Sequence, residues 1–209
     1  MSRLLKSIGY RFCGFVGGFI RNHRGVAMAE FALMLPVLML LAAGSFEVAR
    51  YALMTQKLDR IAATLSDLIA RSSIENITET EISNIIDSAL YMAQPFDIST
   101  GNMIILTSVQ GRAGQAPEIL SQRVSGAVDG VSSNIGNGIG GDATLPAAFP
   151  DAGSGETLSD GETLIIAEVY FDYEPYLTGD IGFFGDMLLR AHAYFRPRFT
   201  DTITFPSAS

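Results

Sequence analysis

The sequence is very poor in two residues that often stabilise or mark exported domains. Among its 209 residues there is one cysteine, Cys13, and there is no tryptophan. A single cysteine excludes an intrachain disulfide, so packing alone has to hold a folded domain together. Any aromatic surface has to be built from Phe and Tyr. The length favours one modest domain with accessory segments over two full domains.

Charge is distributed unevenly along the chain. The net charge is -8, but residues 1–25 carry five basic residues and no acid, so this segment holds +5 and the remainder -13. Basic residues directly before an apolar segment favour the cytoplasmic side of a membrane. Affinity for phosphate backbones depends on Lys and Arg, so the acidic remainder excludes nucleic acid as a partner. We therefore expect a basic cytoplasmic leader, 1–25, and an acidic exported domain.

One long apolar stretch carries no charge. It covers residues 31–46, with a glutamate at each end, and together with 26–29 it approaches the roughly 20 residues that a membrane-spanning helix needs. We predict a single transmembrane helix. A cleaved secretory signal is the alternative, because the small residues 42–45 resemble a cleavage site.

Beyond this stretch, apolar residues recur three and four positions apart, which is the helical period. The stripe comprises Tyr51, Met54, Leu58, Ile61, Leu65 and Leu68. One continuous helix is therefore predicted over 26–72. Two interpretations of the stripe remain open, since it can pack on its own domain or be shared with a neighbouring subunit. Pro36 has no amide donor, which predicts a local bend within the span.

The remaining residues, 73–209, predict an exported α+β domain that is pilin-like, with a second short helix and a small antiparallel sheet. Thr78 to Glu81 reads as a capping box for a helix that runs to about Met92, before Pro95. Three strands are predicted from β-branched or alternating apolar residues, at 103–109, 162–174 and 187–195, with an edge segment at 200–205.

Residues 111–161 are rich in Gly, Ser, Ala and Asp, and we predict a long flexible loop there, with one short helix near 118–128. The segment 136–141 reads GNGIGG and matches a dinucleotide-binding pattern. Such a site needs a strand before it and a helix after it, and the sequence predicts neither. We expect no cofactor.

Candidates for catalysis or metal binding are few. Glu168, Asp172 and Glu174 share one face of a predicted strand, but they lack the spacing of a calcium loop, so a solvated strand face is the preferred interpretation. His192 has no recognisable triad partner. A membrane-anchored hydrolase built on His192 or the strand carboxylates is thus a weak alternative, and we predict no enzyme and no metal site.

The junction before the span reads RGVAMAEF over residues 24–31. This junction resembles a prepilin peptidase site. In such a site glycine precedes the cleaved bond, and glutamate and then an aromatic residue are the fifth and sixth residues after it. Residues 25–68 resemble the TadE-like family of tight-adherence pilus assembly proteins. The resemblance implies that a prepilin peptidase cuts between Gly25 and Val26, with Glu30 and Phe31 as the other motif residues.

The resemblance further implies a minor pilin or pseudopilin in type IVb-like pilus assembly, a single pass through the inner membrane and pilin-like partners. The alternative is an uncleaved membrane scaffold that binds a partner through its periplasmic domain. Glu30 in hydrocarbon is expected to pair with the new amine of Val26, unless it touches interfacial water. The residues assigned to helix assembly are Pro36, Glu47, Tyr51, Met54, Leu58, Ile61 and Leu65.

Overall fold

Two helices and four strands make up the described part of the chain, which confirms the predicted α+β class. The computed structural model describes residues 25–98, 100–145, 158–176, 185 and 187–206. The chain divides into two compact units, Met1–Val48 and Ala49–Ser209. Most of the leader, residues 1–24, lies outside the described residues.

The first helix, α1, runs from Val26 to Ala70 and contains 45 residues. It confirms the predicted long helix and ends within two residues of the expected position. Pro36 lies inside it, so the helix continues through the residue that lacks an amide donor. The bend expected at Pro36 stays a prediction.

The second helix, α2, runs from Glu79 to Tyr91 and is capped at both ends. The Thr78 hydroxyl accepts a hydrogen bond from the Glu81 backbone N–H at 3.4 Å, as the capping box predicts. Past the other end, the Lys57 ammonium donates to the carbonyl of Gln94 at 2.6 Å. A cation at this position satisfies carbonyl groups that no further helical turn can reach.

The four strands form one antiparallel sheet in the order β2-β1-β3-β4. They are β1 (Asn102–Arg112), β2 (Gln115–Gly126), β3 (Thr163–Tyr173) and β4 (Met187–Phe195). The three predicted strands are confirmed, and β3 is an interior strand as expected.

Two local predictions are wrong. The segment expected to form a short helix near 118–128 lies largely in β2, so the predicted loop 111–161 also contains a strand over this part. Polar and apolar residues alternate only in part in β2, and pairing with β1 outweighs the weak helical pattern of this segment. Residues 200–205 form no edge strand, because only Thr204 pairs there, in an isolated bridge with Asn76.

The sheet buries both of its faces, because successive side chains of a strand point to opposite sides. One face packs with the two helices in a core that includes Leu58, Ile82 and Ala167. The other face forms a smaller core in which Ile166 packs with Ile135, from the segment that follows β2. Both interior strands are therefore almost fully buried.

The glycine-rich segment 136–141 lies along β2 as a loop. Its backbone bonds to the strand through Gly140 N–H to the Ile119 carbonyl at 2.8 Å and Ile119 N–H to the Gly141 carbonyl at 2.9 Å. Gly136 has a φ of +136°, a conformation that side-chain-bearing residues rarely adopt. These contacts agree with the loop interpretation of this segment.

Candidate processing junction and assembly helix

The predicted cleavage site lies at the start of α1. Val26 is the first helical residue, and the Ala29 N–H donates to the Gly25 carbonyl at 3.1 Å to close the first turn. Gly25 and Val26 are both exposed. The bond between Gly25 and Val26 therefore joins a residue without a side chain to a helix end, where amide groups lack partners within the helix.

Glu30 and Phe31 follow within the next turn of α1 and are also exposed. Within the described part of the chain, the Glu30 carboxylate makes no hydrogen bond or ion pair. Residues four apart lie on the same helix face, so Glu30 lies above Val26. The structure thus brings together all four residues of the predicted junction on one exposed end of the helix.

The apolar run that follows is exposed on every side of α1 within its unit. Leu33, Leu38 and Leu41 are 78%, 54% and 63% exposed, and Phe46 is 60% exposed. Among the described helices, α1 alone is long and apolar enough to cross a membrane. In water, an apolar surface of this extent would be unfavourable, so it requires lipid or other apolar helices around it.

The second part of the predicted stripe is buried within the domain of the same chain. Met54, Leu58, Ile61 and Leu65 are at most 1% exposed and belong to the core shared by the helices and the sheet. Of the two interpretations of the stripe, the structure favours packing on the chain's own domain. These four residues therefore offer no surface for a neighbouring helix, and this corrects their assignment to assembly.

Three other residues assigned to assembly differ in exposure. Glu47 is 3% exposed, whereas Pro36 lies on the exposed part of the helix. Tyr51 is 38% exposed and contacts Tyr173 edge to face, with 6.0 Å between ring centroids. Of the assembly residues, Pro36 alone lies in the exposed apolar run.

Asp172 and Glu174 are exposed, as a solvated strand face predicts, but Glu168 is buried, which corrects that expectation for Glu168. Its side chain is 3% exposed and accepts three hydrogen bonds, from the Ser133 hydroxyl (2.5 Å), the Asn134 N–H (2.9 Å) and the Tyr170 hydroxyl (2.8 Å). A buried carboxylate is tolerated when donors replace its water. Glu168 therefore fastens the segment after β2 to the sheet.

A pocket of about 290 Å³ lies beside Glu168, and His192 is among its lining residues. Glu168 and His192 are cross-strand partners of β3 and β4. Burial, followed by the hydrogen bond to the Glu168 carboxylate, raises the pKa of Tyr170. Burial and the negative charge of Glu168 also raise the pKa of Tyr194, to about 12. Both phenols stay neutral at physiological pH, which suits a packing role.

Ser133, Asn134 and their bonds to Glu168 are not predicted from the sequence. The one signal in the sequence was the presence of Ile119, Ile135 and Leu145 in a segment otherwise rich in Gly and Ser. These side chains belong to the second core. Across the described residues, no three side chains of His, Cys, Asp or Glu come close enough together to hold a metal ion.

The described residues place this chain in a class of protein in which a helix able to span a membrane precedes a small α+β domain. A family model described as TadE-like protein matches residues 25–65. This match confirms the resemblance and covers the junction, the apolar run and most of the buried stripe. No curated protein and no solved structure matches the chain.

Proposed function

We propose that this chain is a pilin-like structural subunit of a tight-adherence pilus assembly system. The single observation that carries the proposal is the match of a TadE-like model to residues 25–65, over a helix whose first part is apolar and exposed. The buried carboxylate of Glu168 is held by three hydrogen bonds that fasten the segment after β2 to the sheet, which supports a structural role for it.

The first part of α1 is proposed to cross the cytoplasmic membrane once. From Val26 to Phe46 the helix holds enough residues to extend about 30 Å, the thickness of the hydrocarbon layer. The basic leader keeps its side in the cytoplasm, because Lys and Arg in short flanking segments resist translocation. The acidic domain after Ala49 is then exported.

Cleavage between Gly25 and Val26 is proposed to create the group that stabilises Glu30 in the membrane. A carboxylate in hydrocarbon is costly unless it is paired. Cleavage by the prepilin peptidase exposes the amine of Val26, one helical turn from Glu30 on the same face. The amine of the same or a neighbouring subunit can therefore neutralise the carboxylate and favour helices at the same depth.

Lateral assembly is proposed to use only the exposed apolar run of α1, including Pro36. Four of the residues first assigned to assembly are buried in the domain core and make no surface. The exposed run contains large side chains on all faces, so it can pack against other pilin-like helices as well as lipid.

The amino terminus of the native protein tests this proposal. We expect mass spectrometry of protein purified from membranes of peptidase-containing cells to find Val26 as the first residue. Gly25→Val should leave the leader attached and abolish pili, because the larger side chain obstructs access to the bond. Gly44→Val is the matched control, since a Cβ at Gly44 meets no atom within 4 Å.

The alternative is an uncleaved scaffold that binds a partner through the exported domain. Its supporting observation is that the domain is a folded unit with its own core. An intact leader on wild-type protein, together with normal pili in Gly25→Val, would establish this alternative and contradict the processed subunit.

A further inference from the structure

A cluster of aromatic side chains surrounds Arg50 in the second unit. The Arg50 guanidinium carbon lies 3.6 Å from the ring centroid of Tyr176, 5.4 Å from that of Tyr173 and 5.9 Å from that of Phe96. Such distances allow cation–π attraction. We call these four residues the aromatic cluster.

The cluster has a fixed base and an exposed rim. Tyr173 is 1% exposed and belongs to the main core, whereas Tyr176 is 75% exposed. Phe96 also lines an adjoining groove that contains Tyr91, which is 73% exposed. The rings of Tyr176 and Tyr91 are therefore exposed beside a packed base, and we call these two rings the tyrosine rim.

Arg50 lies close in sequence to the end of the apolar run. Arg50 follows Phe46, the last residue of that run, by four residues, which corresponds to a rise of about 6 Å. The headgroup layer adds about 5 to 7 Å to each side of the hydrocarbon core. If the run spans the hydrocarbon, Arg50 comes to lie at the level of the headgroups.

We propose that the aromatic cluster is a lipid-contact surface, through which the exported domain rests on the headgroup layer of the membrane. The inference rests on the membrane insertion in the proposed function. Tyrosine suits this layer because its ring is apolar and its hydroxyl is polar. Arg50 holds the Tyr176 ring at this level by packing beneath it, 3.6 Å from the ring centroid.

Acidic residues set the limit of this surface. Asp87 and Asp97 line the groove that adjoins Phe96. Carboxylates are unfavourable in the apolar part of the interface and are repelled by anionic lipids. The lipid contact is therefore confined to the cluster and the rings of Tyr91 and Tyr176, and the carboxylates of Asp87 and Asp97 stay in water.

The absence of tryptophan makes a direct test simple, because one introduced Trp is the only such fluorophore in the full chain. Tyr176→Trp is reconstituted in phosphatidylcholine vesicles whose lipids are brominated either near the headgroup or near the chain ends. We expect a blue-shifted emission, with stronger quenching by the bromine near the headgroup. Tyr91→Trp is a second reporter on a different element of the domain.

Phe199→Trp is the matched control. Phe199 is 70% exposed, similar to Tyr176, but the backbone of Arg198 bonds to Ala70 at the far end of α1, about 30 Å along the helix from Arg50. We expect neither bromine position to quench it. Leu38→Trp, in the apolar run, should be quenched most by bromine near the chain ends.

The outcomes separate this inference from the proposed function. If Leu38→Trp is quenched while Tyr176→Trp and Tyr91→Trp behave like Phe199→Trp, the helix is inserted but the cluster does not touch lipid, and the inference is overturned alone. If Leu38→Trp is not quenched, membrane insertion fails, and with it both proposals. Thermal unfolding followed by circular dichroism verifies that each variant is folded.

Discussion

The two parts of α1 use similar apolar residues for opposite purposes. Over 31–46 the apolar side chains are contiguous, and most of the large ones are more than half exposed within their unit. Over 54–69 they recur every three or four residues and most of them are buried, with polar residues between them, whereas Leu68 is 40% exposed. A stripe on one face is typical of a helix that packs on a domain, whereas an apolar surface all round requires an apolar environment.

The difference shows that the identity of a residue does not determine its role in this helix. Leu38 and Leu58 are the same residue in the same helix, yet one is 54% exposed and the other 1% exposed. What differs is the presence of polar neighbours that leave only one face available for packing. Three kinds of experiment test this difference between the two parts of the chain.

The largest effect is expected from Leu58→Ala. Removing a buried leucine side chain leaves a cavity, so the free energy of unfolding should fall by about 2 to 5 kcal/mol. Urea unfolding of the full chain in detergent micelles, followed by circular dichroism, measures the change. Leu38→Ala is the matched control and should stay within about 0.5 kcal/mol of wild type. Equal losses in the two variants would refute the distinction between the two parts of α1.

A second effect concerns the carboxylates of the two units. Glu168→Ala removes the acceptor of three hydrogen bonds, including those from Asn134 and Tyr170, so it should cost about 2 to 4 kcal/mol of unfolding free energy. Glu168→Gln, which keeps the shape and one oxygen, should cost less. The same unfolding measurement applies.

Glu30→Ala is the counterpart in the apolar run. Because Glu30 has no partner within the described residues, its removal should leave the unfolding free energy unchanged, while the recovery of assembled pili falls. A loss of stability in Glu30→Ala, or unchanged stability in Glu168→Ala, would contradict the assignment of Glu168 to folding stability and of Glu30 to assembly.

The smallest effect is expected in the titration of Tyr194, which measures how far the pocket beside Glu168 is shielded from water. Tyr194 has a pKa raised to about 12 by burial and by the charge of Glu168, against about 10 in an unfolded chain. The unfolded state therefore loses its proton first. The contribution of Tyr194 to the free energy of unfolding is therefore complete below pH 10 and is lost as the pH rises from 10 to 12.

Ultraviolet absorbance of tyrosinate, compared between wild type and Tyr194→Phe, measures this titration. In Tyr194→Phe the loss of stability between pH 10 and 12 should be smaller, and Glu168→Gln should lower the pKa of Tyr194. A Tyr194 that titrates near 10 in the folded protein would mean that the pocket is open to water.

The elements with strong local signals could be predicted from the sequence. The continuous helix, the capping box at Thr78 and the strands β3 and β4 all follow from residue periodicity or from side chains that satisfy nearby backbone groups. The strand β2 could not be predicted, because its sequence alternates weakly and its pairing with β1 is a contact between separate segments. The predicted junction also has a local signature, RGVAMAEF.

The order of residues is enough to show where the chain is apolar all round, where it is apolar on one face and where its charges lie, because these properties are local. The surface on which the stripe packs, the burial of Glu168 and the aromatic rings around Arg50 follow only from the folded chain. The physical reason is that they depend on contacts between distant segments, since Ser133 bonds to Glu168 across 35 positions and Tyr176 lies over Arg50.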